Sequence, residues 1–368
     1  MALNSYRLGE LITQRREKKP ENEELPIRGV SKDGFIPPKQ IDADTDIYNV
    51  FYKKDFVYNP ARMELGSIAF NSDLDKGICS SLYEMFFVHR TDICLPEYLA
   101  LFVSQDEFAR YCNFLSSGSA REYCRFANIS QIKISLPSIE EQRKIVHDYK
   151  VVKDRIELLK KINENLEKQA YNIYDSEVKD STIYCKIEDI GTFVRGKNIT
   201  SEEMVAGEYD VISAGKNPSG CHNEYNVKGP SITISGSGVN AGFFSIHSEN
   251  IWAADCSYCN NTNYLFFLFC SLQRVKDKIE ILKDGHSAQP HVYPKDVNII
   301  EIPSLEASHI NKLESILQKI YTAIFANCNE IRKLELLETS VVSKLSRNKE
   351  VAEYVYFWWI NFRTGHHR

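Results

Sequence analysis

The sequence predicts an α+β protein in which one arrangement occurs twice: a segment of short strands and helices, followed by a long helix. Three observations support this. The string LPSIE at residues 136–140 returns as IPSLE at residues 302–306, about 166 residues later. After each string, apolar residues recur at alternating steps of four and three, the spacing of a helix with a buried seam. Each string also ends a segment of similar size. The chain is therefore predicted to be an internal repeat with pseudo-two-fold symmetry.

The first segment, residues 1–137, alternates short apolar and aromatic runs with polar turns, a pattern typical of strands. The second segment, residues 179–303, follows the same plan. In the first we predict strands at 51–52, 56–58, 67–70 and 83–88 and a helix at 97–112. In the second we predict strands at 209–212, 231–235 and 242–246 and a helix at 263–281.

The long helices are predicted at residues 138–178 and 304–347, and a tail at 348–368 has no assigned role. Ser138 is a suitable N-cap, and Glu140 and Glu141 suit the positive end of a helix dipole. Asn163 and Asn327 interrupt the two apolar seams, where an amide lowers stability but fixes register. We favour pairing of the two helices within one chain over a parallel homodimer. The predicted seams are Ile145, Tyr149, Val152, Ile156, Leu159, Asn163, Leu166, Ala170 and Ile173, and Leu313, Leu317, Ile320, Ile324, Asn327, Ile331, Leu334, Glu338 and Val341.

Composition limits the classes of protein. The chain has a net charge of -5, so nucleic-acid binding would depend on local basic patches. Its longest apolar run, residues 264–270, is too short to cross a bilayer. The N-terminal residues lack the pattern of a signal peptide, and the 10 cysteines show no pairing pattern. We therefore expect a cytoplasmic protein with reduced thiols.

Two binding motifs are weak. Residues 191–198 resemble a phosphate-binding loop, but Asn198 stands where a nucleotide site needs Ser or Thr for magnesium. Cys256 and Cys259, with Cys221 and His222, could supply four zinc ligands. A single Cys-x-x-Cys pair is a weak signal, however. We expect buried thiols, no metal site and no cofactor.

Catalysis by this chain is also not expected. An adenine methyltransferase needs an Asn-Pro-Pro-aromatic loop, and the nearest strings, at residues 59–62 and 217–220, lack it. Asp175, Glu177 and Lys179 echo a nuclease triad, but such short strings arise often by chance. We therefore interpret the chain as a binding protein whose chemistry belongs to partner proteins.

Several motifs together give the chain a family resemblance. Residues 136–146 and 156–166 are similar to the central helix of the specificity subunits of type I restriction-modification systems. Residues 236–238 and 251–255 resemble that family's Gly turn and Trp-Ala-x-Asp strand. Residues 66–68 and 77–83 resemble another version of the same elements. The resemblance covers about residues 6–346.

The resemblance implies two target recognition domains, residues 1–137 and 179–303, each reading half of an asymmetric, interrupted site in double-stranded DNA. The long helices would form an antiparallel coiled coil that sets the spacing. Their exposed residues would dock two methyltransferase subunits and, through them, restriction subunits in a prokaryotic cytoplasm. The holoenzyme would be an adenine-N6 DNA methyltransferase and ATP-dependent endonuclease. In this chain the docking residues would be Glu141, Gln142, Arg143 and Lys144; residues 307–309 replace Glu-Gln-Arg in the second copy.

The candidate DNA contacts are basic or polar residues in turns and loops, since Lys and Arg bind phosphate and polar side chains read base edges. For the basic run 15–19, the competing interpretation is a solvated helix face. The candidates are Arg15, Arg16, Lys18, Lys19, Ser117, Ser119, Arg121, Arg195, Lys197, Ser235, Ser237, Asn240, His286, Gln289 and His291.

The predicted mechanism is geometric. A seven-residue insertion within residues 150–166 should change the spacing between recognised half-sites, and an unchanged spacing in an active complex would contradict this. The alternative function is a coiled-coil scaffold with two protein-binding heads. A neighbouring methyltransferase gene would favour the DNA-binding interpretation, and its absence would favour the scaffold.

Overall fold

The computed structural model describes residues 3–38, 44–116, 123–284 and 290–346. The described residues form two compact units. Unit 1 lies within residues 1–156 and 333–368, and unit 2 comprises residues 157–332. Both units combine helices with strands that pair mainly antiparallel, and one strand pair of unit 2 is parallel.

Unit 1 contains a four-stranded sheet and several two-stranded ladders that pack against helices. Its elements are β1 (Asn4–Arg7), β2 (Ile12–Arg15), β3 (Gly29–Ser31), β4 (Gly34–Ile36), β5 (Asn49–Tyr52), β6 (Phe56–Tyr58), β7 (Ile68–Phe70), β8 (Lys76–Cys79), β9 (Glu84–Val88), α1 (Pro96–Val103), α2 (Asp106–Ser116), α3 (Phe126–Gln131), β10 (Lys133–Leu136) and the start of α4 (Ile139–Val178). The four-stranded sheet has the order β2-β9-β6-β7, and the ladders are β1-β10, β3-β4 and β5-β8.

The helix predicted at 97–112 is two helices, because α1 ends at Val103 and α2 begins at Asp106. The Ser104 hydroxyl donates to the carbonyl of Leu101, which satisfies a group at the end of α1. Asp106 and Glu107 supply negative charge to the start of α2. The helices pack on the sheet through a core in which Phe56 stacks on Phe86 with centroids 4.8 Å apart.

Unit 2 repeats this plan. Its elements are β11 (Tyr184–Lys186), α5 (Ile187–Ile190), β12 (Val194–Arg195), β13 (Tyr209–Ile212), β14 (Gly220–His222), β15 (Ser231–Ser235), β16 (Phe244–His247), β17 (Trp252–Ala253), β18 (Cys256–Cys259), α6 (Leu265–Arg274), α7 (Lys276–Ile281), α8 (Pro294–Asn298), β19 (Glu301–Pro303) and α9 (Ala307–Ser346). The four-stranded sheet has the order β12-β18-β15-β16, a three-stranded sheet has the order β14-β13-β17, and β11 pairs with β19.

The helix predicted at 263–281 is also interrupted, at Val275 between α6 and α7. A buried carboxylate holds the start of α6. Glu314 of α9 accepts hydrogen bonds from the backbone N–H groups of Phe266 at 3.0 Å and Phe267 at 2.7 Å. Burial raises the pKa of this carboxyl, whereas the backbone donors act in the opposite direction.

The long helices α4 and α9 each contain 40 residues. Ser138 caps α4, because its hydroxyl accepts the Glu141 N–H while the Glu141 carboxylate accepts the Ser138 N–H. The second long helix begins at Ala307, three residues later than predicted. Glu306 precedes it, and its carbonyl accepts from the N–H groups of His309 and Ile310.

Within unit 2 the two helices run antiparallel. Asn327 donates to Asn163 at 2.7 Å, and Asn163 donates to the sulfur of Cys328 at 3.4 Å. Further along α4, Glu167 lies near Tyr321, which precedes Asn327 in α9. Within unit 1, Tyr149 of α4 hydrogen-bonds to Glu338 of α9. The predicted seam residues in both helices are buried or half-buried.

No helix among the described residues is both long and apolar enough to cross a membrane. All ten cysteines are free thiols, and most of them are buried.

Candidate nucleic-acid interface

The best-defined candidate surface lies at the loop of residues 236–243 between β15 and β16, named the Gly loop below. Gly238 and Gly242 adopt φ values of 74° and 78°, a region that favours glycine. The Gly loop is anchored on a neighbouring segment, because the Gly238 N–H donates to the carbonyl of Pro290 and the Val292 N–H donates to that of Gly236. At its tip the Val239 side chain is 95% exposed.

Asp255 connects the Gly loop to a strand of the sheet. Its carboxylate accepts a hydrogen bond from the Ser237 hydroxyl and forms an ion pair with Arg195 of β12. Gly236 gives the guanidinium room, since a Cβ at this position would overlap the Nη1 atom of Arg195. The Arg195 side chain is thus held against the Gly loop while remaining 42% exposed.

Lys197 is held by the buried Trp252. Its ammonium lies 5.7 Å from the centre of the indole ring, within reach of a cation–π interaction. The indole N–H donates to the carbonyl of Lys197 at 2.9 Å, and the Lys197 N–H donates to the carbonyl of Ala253. These bonds fix the backbone while the lysine side chain stays exposed.

The other candidates in unit 2 have different environments. Asn240 is half-buried in the Gly loop. His291 pairs through its backbone with Ser237 and stacks on Tyr293, with ring centroids 5.8 Å apart. Ser235 is a correction: it is buried, and its hydroxyl donates to the carbonyl of Ala214 at 3.0 Å, so it is not available to DNA.

In unit 1 the basic run separates into paired and unpaired cations. Arg15 is a correction, because its guanidinium makes two hydrogen bonds, of 2.6 and 3.1 Å, to the fully buried carboxylate of Asp55. Lys19 lies 3.5 Å from Asp46. Arg16 is exposed and has no ion-pair partner among the described residues. Lys18 is exposed and donates to the carbonyl of Ile47 at 2.8 Å.

Burial and hydrogen bonding have opposite effects on the pKa of Asp55. Loss of water around the carboxylate raises its pKa, while hydrogen bonds from Arg15 and from the backbone N–H of Tyr52 lower it. Arg15 additionally lies over the rings of Tyr52 and Phe87, at 4.7 and 4.6 Å. The helix proposed as an alternative for the run 15–19 is not formed, since β2 ends at Arg15.

Five DNA-contact candidates lie outside the described residues: Ser117, Ser119, Arg121, His286 and Gln289.

Of the four predicted docking residues, Gln142 is a correction. Its side chain is fully buried, its carbonyl oxygen accepts from the N–H of Leu95, and its amide donates to the carbonyls of Ile93 and Pro137. Gln142 therefore has a structural role at the start of α1. Glu141 is half-buried in the helix cap, and Arg143 and Lys144 are exposed on α4.

The structure also shows the surroundings of the residues that resemble nucleotide, zinc and nuclease sites. The strand β12 lies within the phosphate-loop resemblance at residues 191–198, and a turn at residues 201–203, rather than a helix, comes after it. The Cys256 thiol donates to the carbonyl of Ile212, and His222 accepts from the N–H of Val205. Within the described part of the chain, no three His, Cys, Asp or Glu side chains come together to hold a metal ion. Asp175 forms an ion pair with Arg274.

Three features near the Gly loop were not identified from the sequence. Asp255 was seen as part of a motif but not as the partner of Arg195. Lys216 lies 5.7 Å from the ring centre of Phe243, the last residue of the Gly loop. His247, hydrogen-bonded to Thr233 at 2.8 Å, lines a cavity of about 210 Å³ beside the loop. Burial lowers the pKa of His247 to about 4.

Comparisons with known proteins agree with the predicted resemblance. Residues 4–168 match the family model of the type I restriction modification DNA specificity domain. A stretch of 127 residues, 34% of the chain, is 28% identical to the type I restriction enzyme HindI specificity subunit of Haemophilus influenzae. This match spans 28% of the length of that relative.

A solved structure gives the same fold over most of the chain. The type I restriction-modification system S subunit from M. genitalium superposes with a TM-score of 0.63 and 16% sequence identity, covering 94% of this chain and 96% of that one. The predicted α+β fold class is confirmed by this likeness. The resemblance to type I specificity subunits, predicted from the sequence, is confirmed over residues 4–168 by the family model.

Proposed function

We propose that this chain, whose residues 4–168 match a type I DNA specificity domain, is the DNA sequence-recognition subunit of a type I restriction-modification complex. The observation that carries the proposal is the repeated module. Each unit contains a four-stranded sheet of the same strand order, and each long helix is shared by both units. Two similar modules with different surfaces suit a protein that reads two different half-sites.

The second module has groups suited to such reading. Arg195 and Lys197 are cations for phosphate, while Ser237, Asn240 and His291 are polar groups on or beside the Gly loop. Asp255 and Trp252 hold the two cations in place, which reduces the conformational entropy lost when DNA binds. The Gly loop presents its tip to solvent, as a base-reading loop must.

The chain itself is proposed to be non-catalytic. The partners would be two methyltransferase subunits, which dock on the long helices near Glu141, Arg143 and Lys144, and restriction subunits that join through the complex. The holoenzyme would then methylate adenine at N6 and cleave DNA with ATP, in a prokaryotic cytoplasm. The acidic net charge of -5 leads us to expect weak DNA binding by the chain alone and tighter, salt-sensitive binding in the complex.

A map of methylated adenines in the host genome tests the proposal, with the gene present, deleted and restored. We expect one interrupted, asymmetric motif that disappears on deletion. Restoring the gene with Ser237→Ala and Asn240→Ala should alter only one half of the motif, while Lys133→Gln, an exposed change on β10, should leave it intact. A motif that persists after deletion, in a host that expresses the gene, would contradict the proposal.

A further inference from the structure

The backbone hydrogen bonds allow the first strands of the two modules to be aligned residue by residue. In unit 1, Tyr6 of β1 pairs with Ile134 of β10; in unit 2, Cys185 of β11 pairs with Ile302 of β19. The next bonds agree, because the Leu8 N–H donates to the Ile132 carbonyl and the Ile187 N–H donates to the Ile300 carbonyl. Cys185 follows Tyr6, and Ile187 follows Leu8, by the same 179 residues (185 minus 6 and 187 minus 8).

The sheet ladders are consistent with the same offset. It places Phe193 at the position of Gln14, which pairs with Phe86. In unit 2, Val194 pairs with Tyr258, so Phe193 lies across from Cys259. Phe86 and Cys259 are both buried in their cores, and each also pairs with a core residue of the next strand: Phe86 with Phe56, and Cys259 with Ile232. The alignment therefore holds from the first strand into the four-stranded sheet.

Continued by the same 179 residues, this alignment places Arg16 at the position of Arg195 and Lys18 at that of Lys197. The two lysines have different backbone partners, since Lys18 pairs with Asn49 and the Lys197 N–H donates to the carbonyl of Ala253. We propose that these two Arg-x-Lys pairs are equivalent phosphate-binding sites, one in each module, for the backbone of duplex DNA. The inference rests on the proposed function and adds to it the residues that each module uses. Local sequence does not reveal the match, because Arg16-Glu17-Lys18 lies within a longer basic run, whereas Arg195-Gly196-Lys197 starts at the end of β12 and has glycine between its two cations.

In the described part of unit 1 the ion pairs leave two of the four cations without a carboxylate partner, whereas in unit 2 Arg195 is paired with Asp255. Of the four cations in residues 15–19, Arg15 is neutralised by Asp55 and Lys19 faces Asp46. The remaining two, Arg16 and Lys18, are exposed and have no carboxylate partner among the described residues. They are the residues that the backbone alignment places on Arg195 and Lys197.

Both lysines are also held by groups that leave the ammonium open to an anion. Lys197 lies over the face of Trp252, and Lys18 donates to a backbone carbonyl. Neither interaction removes the positive charge. In the second module Asp255 positions Arg195 and offsets part of its charge, so we expect the first pair to contribute at least as much to DNA binding as the second.

The test is DNA binding by the complex of this chain with its methyltransferase subunits, on DNA with and without the methylation motif, between 50 and 200 mM salt. Each neutralised phosphate contact contributes about 0.9 to the slope of log affinity against log salt. The double variant Arg16→Gln/Lys18→Gln should lose about 1.8 of slope, and Arg195→Gln/Lys197→Gln between about 0.9 and 1.8. Affinity should fall equally on both DNAs, because phosphates carry no sequence information.

Matched variants separate charge from folding. Arg16→Lys and Arg195→Lys keep the charge and should keep the slope, and the exposed pair Lys133→Gln/Lys312→Gln should leave it unchanged. Co-purification with the methyltransferase verifies assembly of each variant. If the unaltered complex binds its motif while either double variant retains the full slope, the inference is wrong and the proposed function stands. If the unaltered complex fails to bind DNA, both are wrong.

Discussion

The hydrogen bond between Asn163 and Asn327 gives a prediction whose size follows from burial. Asn163 is 9% exposed, and its carbonyl oxygen accepts from the Asn327 amide at 2.7 Å. In Asn327→Ala this buried oxygen loses its donor, at a cost of about 1–3 kcal/mol. The better helix propensity of Ala returns roughly 0.5 kcal/mol. We expect a net loss of about 1–2 kcal/mol in the free energy of unfolding.

The substitution on the other helix, Asn163→Ala, should affect the free energy of unfolding differently. Asn163→Ala leaves the Asn327 amide without its partner, but this side chain is half-exposed and can bond water. We expect a loss of about 1 kcal/mol, mainly from the removed buried group. The double variant leaves no orphaned amide, so its loss should be smaller than the sum of the single losses. The expected coupling energy is about 1 kcal/mol, and helix propensity cancels from it.

The assay is urea unfolding of the chain, followed by far-UV circular dichroism and by tryptophan fluorescence. All proteins carry Trp358→Phe and Trp359→Phe, so that the fluorescence comes from Trp252, which lies in the same unit as the asparagine pair. Coincident transitions and equal m-values are required before the free energies are compared. Free energies are compared near the midpoint to avoid long extrapolation. Additive single losses, with coupling below roughly 0.3 kcal/mol, would refute the reasoning that this bond stabilises the helix pair.

Three further predictions concern unit 2. Glu314→Ala should lower the free energy of unfolding by about 2–4 kcal/mol, because two buried N–H groups of α6 lose their acceptor. Glu306→Ala, at an exposed position, is the control, and equal effects of the two substitutions in urea unfolding would contradict the prediction. Burial lowers the pKa of His247 to about 4, so between pH 6.5 and 4 the imidazole is protonated in the unfolded chain but neutral in the folded one. As the pH falls through this range, the free energy of unfolding should decrease by up to about 3 kcal/mol. His247→Gln should remove this part of the pH dependence, and identical pH profiles of unfolding for the two proteins would show that burial of His247 has no such effect. Gly236→Ala should displace the Arg195 guanidinium from Asp255, with unchanged circular dichroism. Because the charge remains, DNA binding by the complex should weaken by less than in Arg195→Gln; full binding by Gly236→Ala would mean that this placement of Arg195 is not needed.

Elements with a strong local pattern could be predicted from the sequence. The strands at 209–212 and 231–235 have the predicted bounds, because each is rich in β-branched or aromatic residues and is flanked by turn residues. The long helices were predictable from their seams. The interruption at Val275 was not, because no Gly or Pro marks it.

The interface was less predictable because its side chains depend on distant partners. Arg15 looked like part of an exposed basic run until Asp55, 40 residues away, was found beside it. Gln142 stands in a polar string, yet its amide bonds to backbone groups more than 45 residues earlier. The match of Arg16 with Arg195 was hidden because the offset between the modules changes along the chain: it is 179 residues at Tyr6 and 168 at Ile134 (185 minus 6 and 302 minus 134).

The division of the chain has a consequence for its synthesis on the ribosome. Unit 2 is one continuous stretch, residues 157–332, whereas unit 1 also includes residues from Lys333 onward. The bond between Tyr149 and Glu338 shows this late closure. At roughly 5–20 residues per second, the intervening segment takes on the order of 10–35 s to translate. Unit 2 can therefore complete its folding first, while the face of α4 around Tyr149 stays uncovered until Glu338 has been made and is until then a potential binding site for a chaperone.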